Sequence, residues 1–243
     1  MTPIVPSADA ERQVRLAARA LSRGGLVGPF GHCSLRLDEM HFLVCAARPM
    51  GLIRAGEPGT VVRTEGPLPE GVLGEVRMHQ QIYRARSDVQ AICRFLSPQV
   101  MALAAMGCSP RARHGFGAYF HPSVPMWRDP ALVRNDEAAL GVAQVLGMAP
   151  AVVVGVNGAV TAADSIEKAV ALAWFLEDAA RVELVVRSAG GGSHASFDSR
   201  ATAAERATWQ GRIAERVWEH LCAGDPEWAP AAAARAPAAA HHH

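Results

Sequence analysis

Lysine is almost absent from this sequence. Lys168 is its only one, and every other strong base is arginine. A Schiff-base mechanism requires a desolvated lysine amine, and a lone lysine in the first turn of an amphipathic helical segment is poorly placed to supply it. Paired cysteines are lacking as well. Cys33, Cys45, Cys93, Cys108 and Cys222 are odd in number and scattered, without a C-x-x-C spacing, so they read as free thiols rather than as a zinc site or redox couple. Charge of one sign is also missing. The 24 basic and 23 acidic residues leave a formal net charge of +1 spread along the chain, which excludes an electrostatic footprint for nucleic acid. Apolar runs are broken by Gly, Pro or charge well short of the roughly 20 residues of a membrane span, and the N-terminus has no charged-then-apolar leader pattern. These absences predict a cytoplasmic protein with neither nucleic acid nor membrane as a partner.

What is present suffices for one core. Half of the 243 residues are hydrophobic, which suits a single α/β domain. We place that domain at residues 1–223 and read 224–243, rich in Ala and Pro and ending in His241, His242 and His243, as a tail with the remains of an affinity tag. The spacing of Val14, Leu16, Ala17, Ala20 and Leu21 predicts an amphipathic helix over 8–22, closed by Gly24 and Gly25. Residues 33–37 and 41–45 flank Asp38, Glu39 and Met40 as a hairpin, and Val61 and Val62 belong to a further strand. A helix follows over 75–86, a buried strand over 89–95, a helix from Pro98 to Gly107, two short strands within 114–127, and a helix over 136–146. Residues 151–154 and 159–162 read as a strand pair about a Gly-containing turn. Ser165 is the N-cap of a helix reaching 186, and 201–221 forms a last helix after the glycines at 190–192. This order gives an α/β fold, a three-layer α/β/α sandwich with a mixed central sheet.

The stretch EVRMHQQIYRARSDVQAI at 75–92 resembles, in residue type and spacing, the core of the class II aldolase/adducin superfamily, where a helix bearing Glu and His runs through "IYRARPDV" into a buried strand. GHCSLR at 31–36 is similar to that family's early G-[NH]-x-S-x-R strand. Residues 160–181, with SIEKA at 165–169 and LEDAA at 176–180, are similar to its closing strand and helix. The likeness covers residues 10–187 and implies a class II aldolase-like sandwich. In that family the strand after "DV" ends in H-x-H-x-P, and a later N-H-G or G-H-G turn adds a third histidine. The three imidazoles hold a divalent ion that polarises the substrate and stabilises an enolate. Here the corresponding residues are RFLSP at 94–98 and VNG at 156–158, so Arg94, Leu96 and Asn157 take the three ligand positions. A guanidinium does not ligate, and leucine has no donor atom. The resemblance therefore implies a divergent member with no metal and no other cofactor.

Glu75 matches the family's acid/base carboxylate and stands four residues before His79, on the same helix face. Arg94 supplies either fixed positive charge to a carboxylate or developing oxyanion, or a salt bridge to Glu75 that fills the vacated space. These two are the catalytic candidates. His32 and Ser34 lie where the family's substrate-binding loop runs. Arg48, in RPMGL at 48–52, together with His79, Tyr119, His121 and Asn157 completes the substrate-binding set. His79 also reads as a hydrogen-bonded helix residue, Asn157 as a turn former, and His114 and His121, in a loop-rich segment with Tyr119, as interface residues. Trp209 and Trp218 are read as packing residues of the last helix.

Leu73 and Gly74 stand where sugar-phosphate aldolases of this family carry phosphate-binding serines, which argues against a phosphorylated sugar. His32 and RPMGL look more like the branch that includes aromatic-acid decarboxylases. The resemblance thus implies a metal-independent lyase for a small carboxylated or carbonyl substrate, working by decarboxylation or aldol-type carbon–carbon chemistry, with the electron sink supplied by the substrate itself. Two alternatives stay open: a non-catalytic adducin-like binding or assembly module, and a biosynthetic cyclase or dehydratase using the same Glu75. The family's usual four-fold assembly implies a homotetramer.

Overall fold

In chain order the elements are α1 (Ala8–Arg23), β1 (His32–Arg36), β2 (His41–Val44), β3 (Thr60–Arg63), α2 (Arg77–Ala85), β4 (Ala91–Phe95), α3 (Pro98–Ala105), β5 (Met126–Trp127), α4 (Asp136–Leu146), β6 (Ala151–Val154), β7 (Ala159–Ala163), α5 (Ile166–Ser188), α6 (Arg200–Arg206) and α7 (Ile213–Cys222). The computed structural model describes residues 4–192, 197 and 199–229. The Ala/Pro-rich tail beyond 229, with His241 to His243, lies outside the described residues.

Helices begin where a side chain can take an orphan backbone amide. The Ser7 hydroxyl accepts from the Ala10 amide at 3.1 Å to open α1, Asn135 from Ala138 at 2.8 Å to open α4, and Ser165 from Lys168 at 3.2 Å to open α5. A different device opens α3. Pro98 occupies its first turn, and the distant Glu177 carboxylate accepts from the Gln99 and Val100 amides at 3.0 and 3.1 Å. The strands form one mixed sheet in the order β3-β2-β1-β4-β7-β6-β5, antiparallel throughout except for the parallel β5–β6 pair. Central β4 is buried along its whole length, so the two-residue strand period sends alternate side chains into two cores. Cys93 and Phe95 face α1 and α5, whereas Ile92 packs into the core beneath α2 and α4. Each large apolar side chain buried this way contributes about 1.5–3 kcal/mol. The result is the three-layer α/β/α sandwich with a mixed central sheet.

Two sequence expectations are corrected. Of the two strands expected within 114–127, only Met126–Trp127 forms; Gly117–Phe120 is a 3-10 turn, and Arg111 and Ser123 make one isolated bridge. Pro122 and Pro125 remove ladder donors, and Phe116 and Tyr119 fold down against Phe175 of α5 instead of alternating across a sheet. The expected single last helix is split into α6 and α7, because Gly211 and Arg212 adopt left-handed backbone. Trp209, in the break, packs on Tyr119 with ring centroids 4.8 Å apart, and Trp218 packs against the same core.

The domain also extends past the expected boundary at 223. Asp225 and Glu227 fold back onto α1, where Asp225 bonds Arg19 at 2.7 Å and Arg23 at 2.8 Å, and Glu227 bonds Arg15 and Arg19 at 2.7 Å each. A short acidic pair inside an Ala/Pro-rich stretch gave no periodic signal, but opposite a row of arginines at helical spacing it becomes a clamp. Burial alone would push both carboxyls up; the arginine hydrogen bonds outweigh it and hold each at about 2. Asp225→Ala should therefore cost about 3 kcal/mol in urea unfolding, because it leaves the largely buried Arg19 guanidinium short of a partner. The folded values lie below the unfolded ones of about 4, so the carboxylates' stabilisation is complete above about pH 4 and is lost as pH falls through about 2. Acid unfolding of Asp225→Ala should be flatter than wild type across that window.

Candidate active site

Arg94 is the only charged side chain in β4, and the strand places it on the α2 side of the sheet, 2% exposed. Its cross-strand neighbour in β1 is His32. Above them the chain enters α2 through a 3-10 turn, Gly74–Val76, where the sequence predicted continuous helix. This tighter turn carries Glu75 over the sheet. The Glu75 Oε1 accepts from Arg94 Nη2 at 3.1 Å, a single contact rather than a two-pronged one. Among the described residues, Arg94 Nε and Nη1 are buried with no hydrogen-bond partner, and so is His32 Nε2. Burial works against the charge of Arg94 and Glu75 supports it.

His79, one turn into α2, points at the same patch. Its Nε2 lies 2.9 Å from His32 Nδ1, and its Nδ1 lies 2.6 Å from Ser34 Oγ, which in turn is 2.9 Å from the Tyr83 hydroxyl. Burial, reinforced by Arg94, pushes the His79 ring down to about 3; burial, then His79 and Arg94, hold His32 well below the ordinary imidazole value. Both rings are neutral at physiological pH. A cavity of about 10 Å³ opens beside His32, walled by Val44, Thr60, Val72, Leu73 and Val76. The arrangement presents an anion-seeking guanidinium and an imidazole nitrogen, both unpartnered, next to a carboxylate able to carry a proton.

The family profile described as "Class II Aldolase and Adducin N-terminal domain" matches residues 12–184. The chain belongs to the class II aldolase and adducin family. It is 32% identical over 205 residues, covering 76% of this chain and 81% of the relative, to a 3,4-dihydroxyphthalate decarboxylase of Arthrobacter keyseri. A second protein of the same name, from Rhodococcus jostii (strain RHA1), is 29% identical over 191 residues, covering 71% of this chain and 77% of the relative. Among solved structures, L-fuculose-1-phosphate aldolase from Thermus thermophilus superposes with a TM-score of 0.69 at 24% identity, covering 78% of this chain and 100% of that one. L-fuculose 1-phosphate aldolase from Glaciozyma antarctica PI12 gives 0.72 at 20% identity, covering 91% and 93%. These likenesses show the class II aldolase fold.

Within this class II aldolase-type chain, the sequence candidates divide by location. Glu75, Arg94, His32, Ser34 and His79 converge on one patch. Arg48 follows Ala47 at the edge of the same cavity but turns to Glu57 at 3.2 Å. Asn157 lies in the turn abutting the Leu96 end of β4 and gives its Nδ2 proton to the Pro130 carbonyl at 3.0 Å. Tyr119 is on the opposite side of the sheet, its hydroxyl donating to the Thr208 carbonyl and its ring lining a cavity of about 430 Å³ with Phe116, Trp174 and Phe175. His121 lines another, of about 360 Å³, beside Pro122 and Met148. Arg94, Leu96 and Asn157, at the positions implied for metal ligands, offer one guanidinium, one hydrocarbon and one engaged amide. They do not fit a divalent ion. Lys168 is occupied by Asp164 at 2.8 Å, far from a Schiff-base setting. Sequence reasoning missed Tyr83, although its spacing of four from His79 marks the same helix face.

Gly158 holds the Asn157 turn against β4, with φ +85° and a notional Cβ 2.0 Å from the Phe95 carbonyl oxygen. Gly158→Ala should lower stability by more than about 1 kcal/mol, read as a drop in the thermal unfolding midpoint. An unchanged midpoint would mean that the turn yields freely.

Proposed function

We propose that this protein is a carbon–carbon lyase that decarboxylates a hydroxylated aromatic dicarboxylate of the 3,4-dihydroxyphthalate type, without a metal. The observation that carries the reading is the pair of buried Arg94 nitrogens, Nε and Nη1, that have no hydrogen-bond partner among the described residues, beside Glu75. A guanidinium kept only for a structural ion pair would be saturated, since buried donors almost always find acceptors; Arg94 keeps two nitrogens, Nε and Nη1, open, the requirement for gripping a substrate carboxylate. The decarboxylase relatives supply the substrate class.

A dihydroxyphthalate carries two neighbouring carboxylates and two hydroxyls on one ring. One carboxylate anchors on Arg94. Glu75 delivers a proton to the ring carbon bearing the other carboxylate, the carbon–carbon bond to that carboxylate breaks, its electron pair returns to the ring, and carbon dioxide leaves. Glu75 then recovers a proton from solvent, so each turnover consumes one. A ring hydroxyl ortho or para to the reacting carbon stabilises the protonated ring, so the substrate provides the electronic relay that a metal or Schiff base provides elsewhere. A cavity of about 10 Å³ does not admit a ring, so entry requires its outer wall, including the 42% exposed Leu73, to move outward. Tyr119 and His121 would reach such a substrate only from another copy, in the homotetramer that the family resemblance implies.

Carbon dioxide release from carboxyl-labelled 3,4-dihydroxyphthalate tests this reading. Glu75→Gln and Arg94→Ala should each lower kcat/KM by about 100-fold or more with the circular dichroism spectrum retained, and wild-type activity should survive exhaustive chelation. Wild-type rates in both variants, or loss of activity on chelation, would overturn it.

A further inference from the structure

Behind His32 lies a row of three polar side chains that the proposed reaction leaves unused. Tyr83, Ser34, His79 and His32 follow one another through contacts of 2.9, 2.6 and 2.9 Å. All four are at most 2% exposed. With both imidazoles neutral, each of the four groups carries one proton able to donate, and the row has only three contacts. One proton is therefore left without an acceptor inside the row, and the two ends decide where it sits.

At the inner end, the only hydrogen-bond partner of the Tyr83 hydroxyl among the described residues is Ser34. The Tyr83 ring is closed in by the Phe42 ring at 5.0 Å and the Arg36 guanidinium at 4.6 Å. If Ser34 donated to Tyr83, the phenol proton would be stranded in that wall. At the outer end, His32 Nε2 has no partner, and His32 lines the cavity next to Arg94, where an oxygen of a bound molecule can take the proton. Donation from Tyr83 to Ser34, from Ser34 Oγ to His79 Nδ1, and from His79 Nε2 to His32 Nδ1 uses every internal donor and leaves the spare proton on His32 Nε2. A protonated ring would break the count, but burial and the facing Arg94 keep both imidazoles neutral, while Glu75, the acid facing Arg94, is turned to that guanidinium.

We infer that Tyr83, Ser34 and His79 are positioning residues that fix His32 as the Nε2–H tautomer, so that His32 acts as a hydrogen-bond donor to an anionic substrate oxygen beside Arg94 and not as a base. The choice of ligand rests on the decarboxylase reading; the tautomer does not. A guanidinium and an imidazole N–H side by side suit a carboxylate whose two oxygens are shared between them, which makes His32 a partner of Arg94 in anchoring the group that stays on the ring.

The test is the ring-nitrogen ¹⁵N spectrum of the full chain, with His32 and His79 assigned by loss of signals in His32→Gln and His79→Gln. Both rings should be protonated at Nε2 and bare at Nδ1. The reverse tautomer at either ring overturns the inference, and because no substrate is needed, this outcome is independent of whether the protein decarboxylates anything. Kinetics with 3,4-dihydroxyphthalate adds the functional arm: His79→Gln, which keeps an N–H toward His32, should hold KM within about 3-fold, whereas His79→Glu, which presents an acceptor and reverses the tautomer, should raise KM about 10-fold or more. Equal KM values in the two folded variants would overturn the donor role. Should His79→Glu fail to fold, the wild-type spectrum still decides. Correct tautomers without decarboxylase activity would sink the proposed reaction alone.

Discussion

A guanidinium buried in the central strand is the constraint around which this molecule is arranged. β4 is the strand on which both cores meet, and any residue there is taken out of water whatever its chemistry. Arg94 cannot shed its charge, so its surroundings must answer it. Among the described residues the answer is incomplete: one carboxylate from Glu75, through one contact. Neighbouring features follow from the same demand. Burial first, and then the neighbouring Arg94, keeps both histidines uncharged, and the entry into α2 tightens to a 3-10 turn that puts Glu75 over the sheet.

The sheet then divides the labour. Its α1 and α5 side holds apolar and aromatic packing, including Phe116, Tyr119, Phe175 and Trp209, and it is the side with the more voluminous cavity. Its α2 side holds the polar row and the arginine, with almost no free volume. The roomier cavity and the candidate site are therefore on opposite faces, and the candidate site is marked by unpartnered donors, not by empty space.

Much of this was legible in the residues. Strand alternation, helix caps at Ser165 and glycine stops gave the layers, because each is a local rule acting over a few residues. The family-like register brought Glu75, Arg94, His32, Ser34 and His79 to one place. What escaped was long-range or aperiodic. Tyr119 and His121 stood among aromatics and prolines whose backbone does not repeat, so nothing in their spacing told which face of the sheet they join. The Asp225 and Glu227 clamp is invisible without knowing that α1 lies opposite. Tyr83 was passed over because its function is defined only by what Ser34 and His79 need, not by any motif of its own.

That clamp has a consequence for how the chain comes to be folded. The partners of Arg15, Arg19 and Arg23 lie 212, 206 and 202 positions further along. α1, with three guanidinium groups on one face, is made before nearly the entire domain that separates it from Asp225 and Glu227. A helix needed to cover one side of the sheet thus lacks these two carboxylates until residue 227 has been made. The seating of the first helix therefore closes a loop of 202 to 212 residues, a closure whose entropic cost grows only slowly with length.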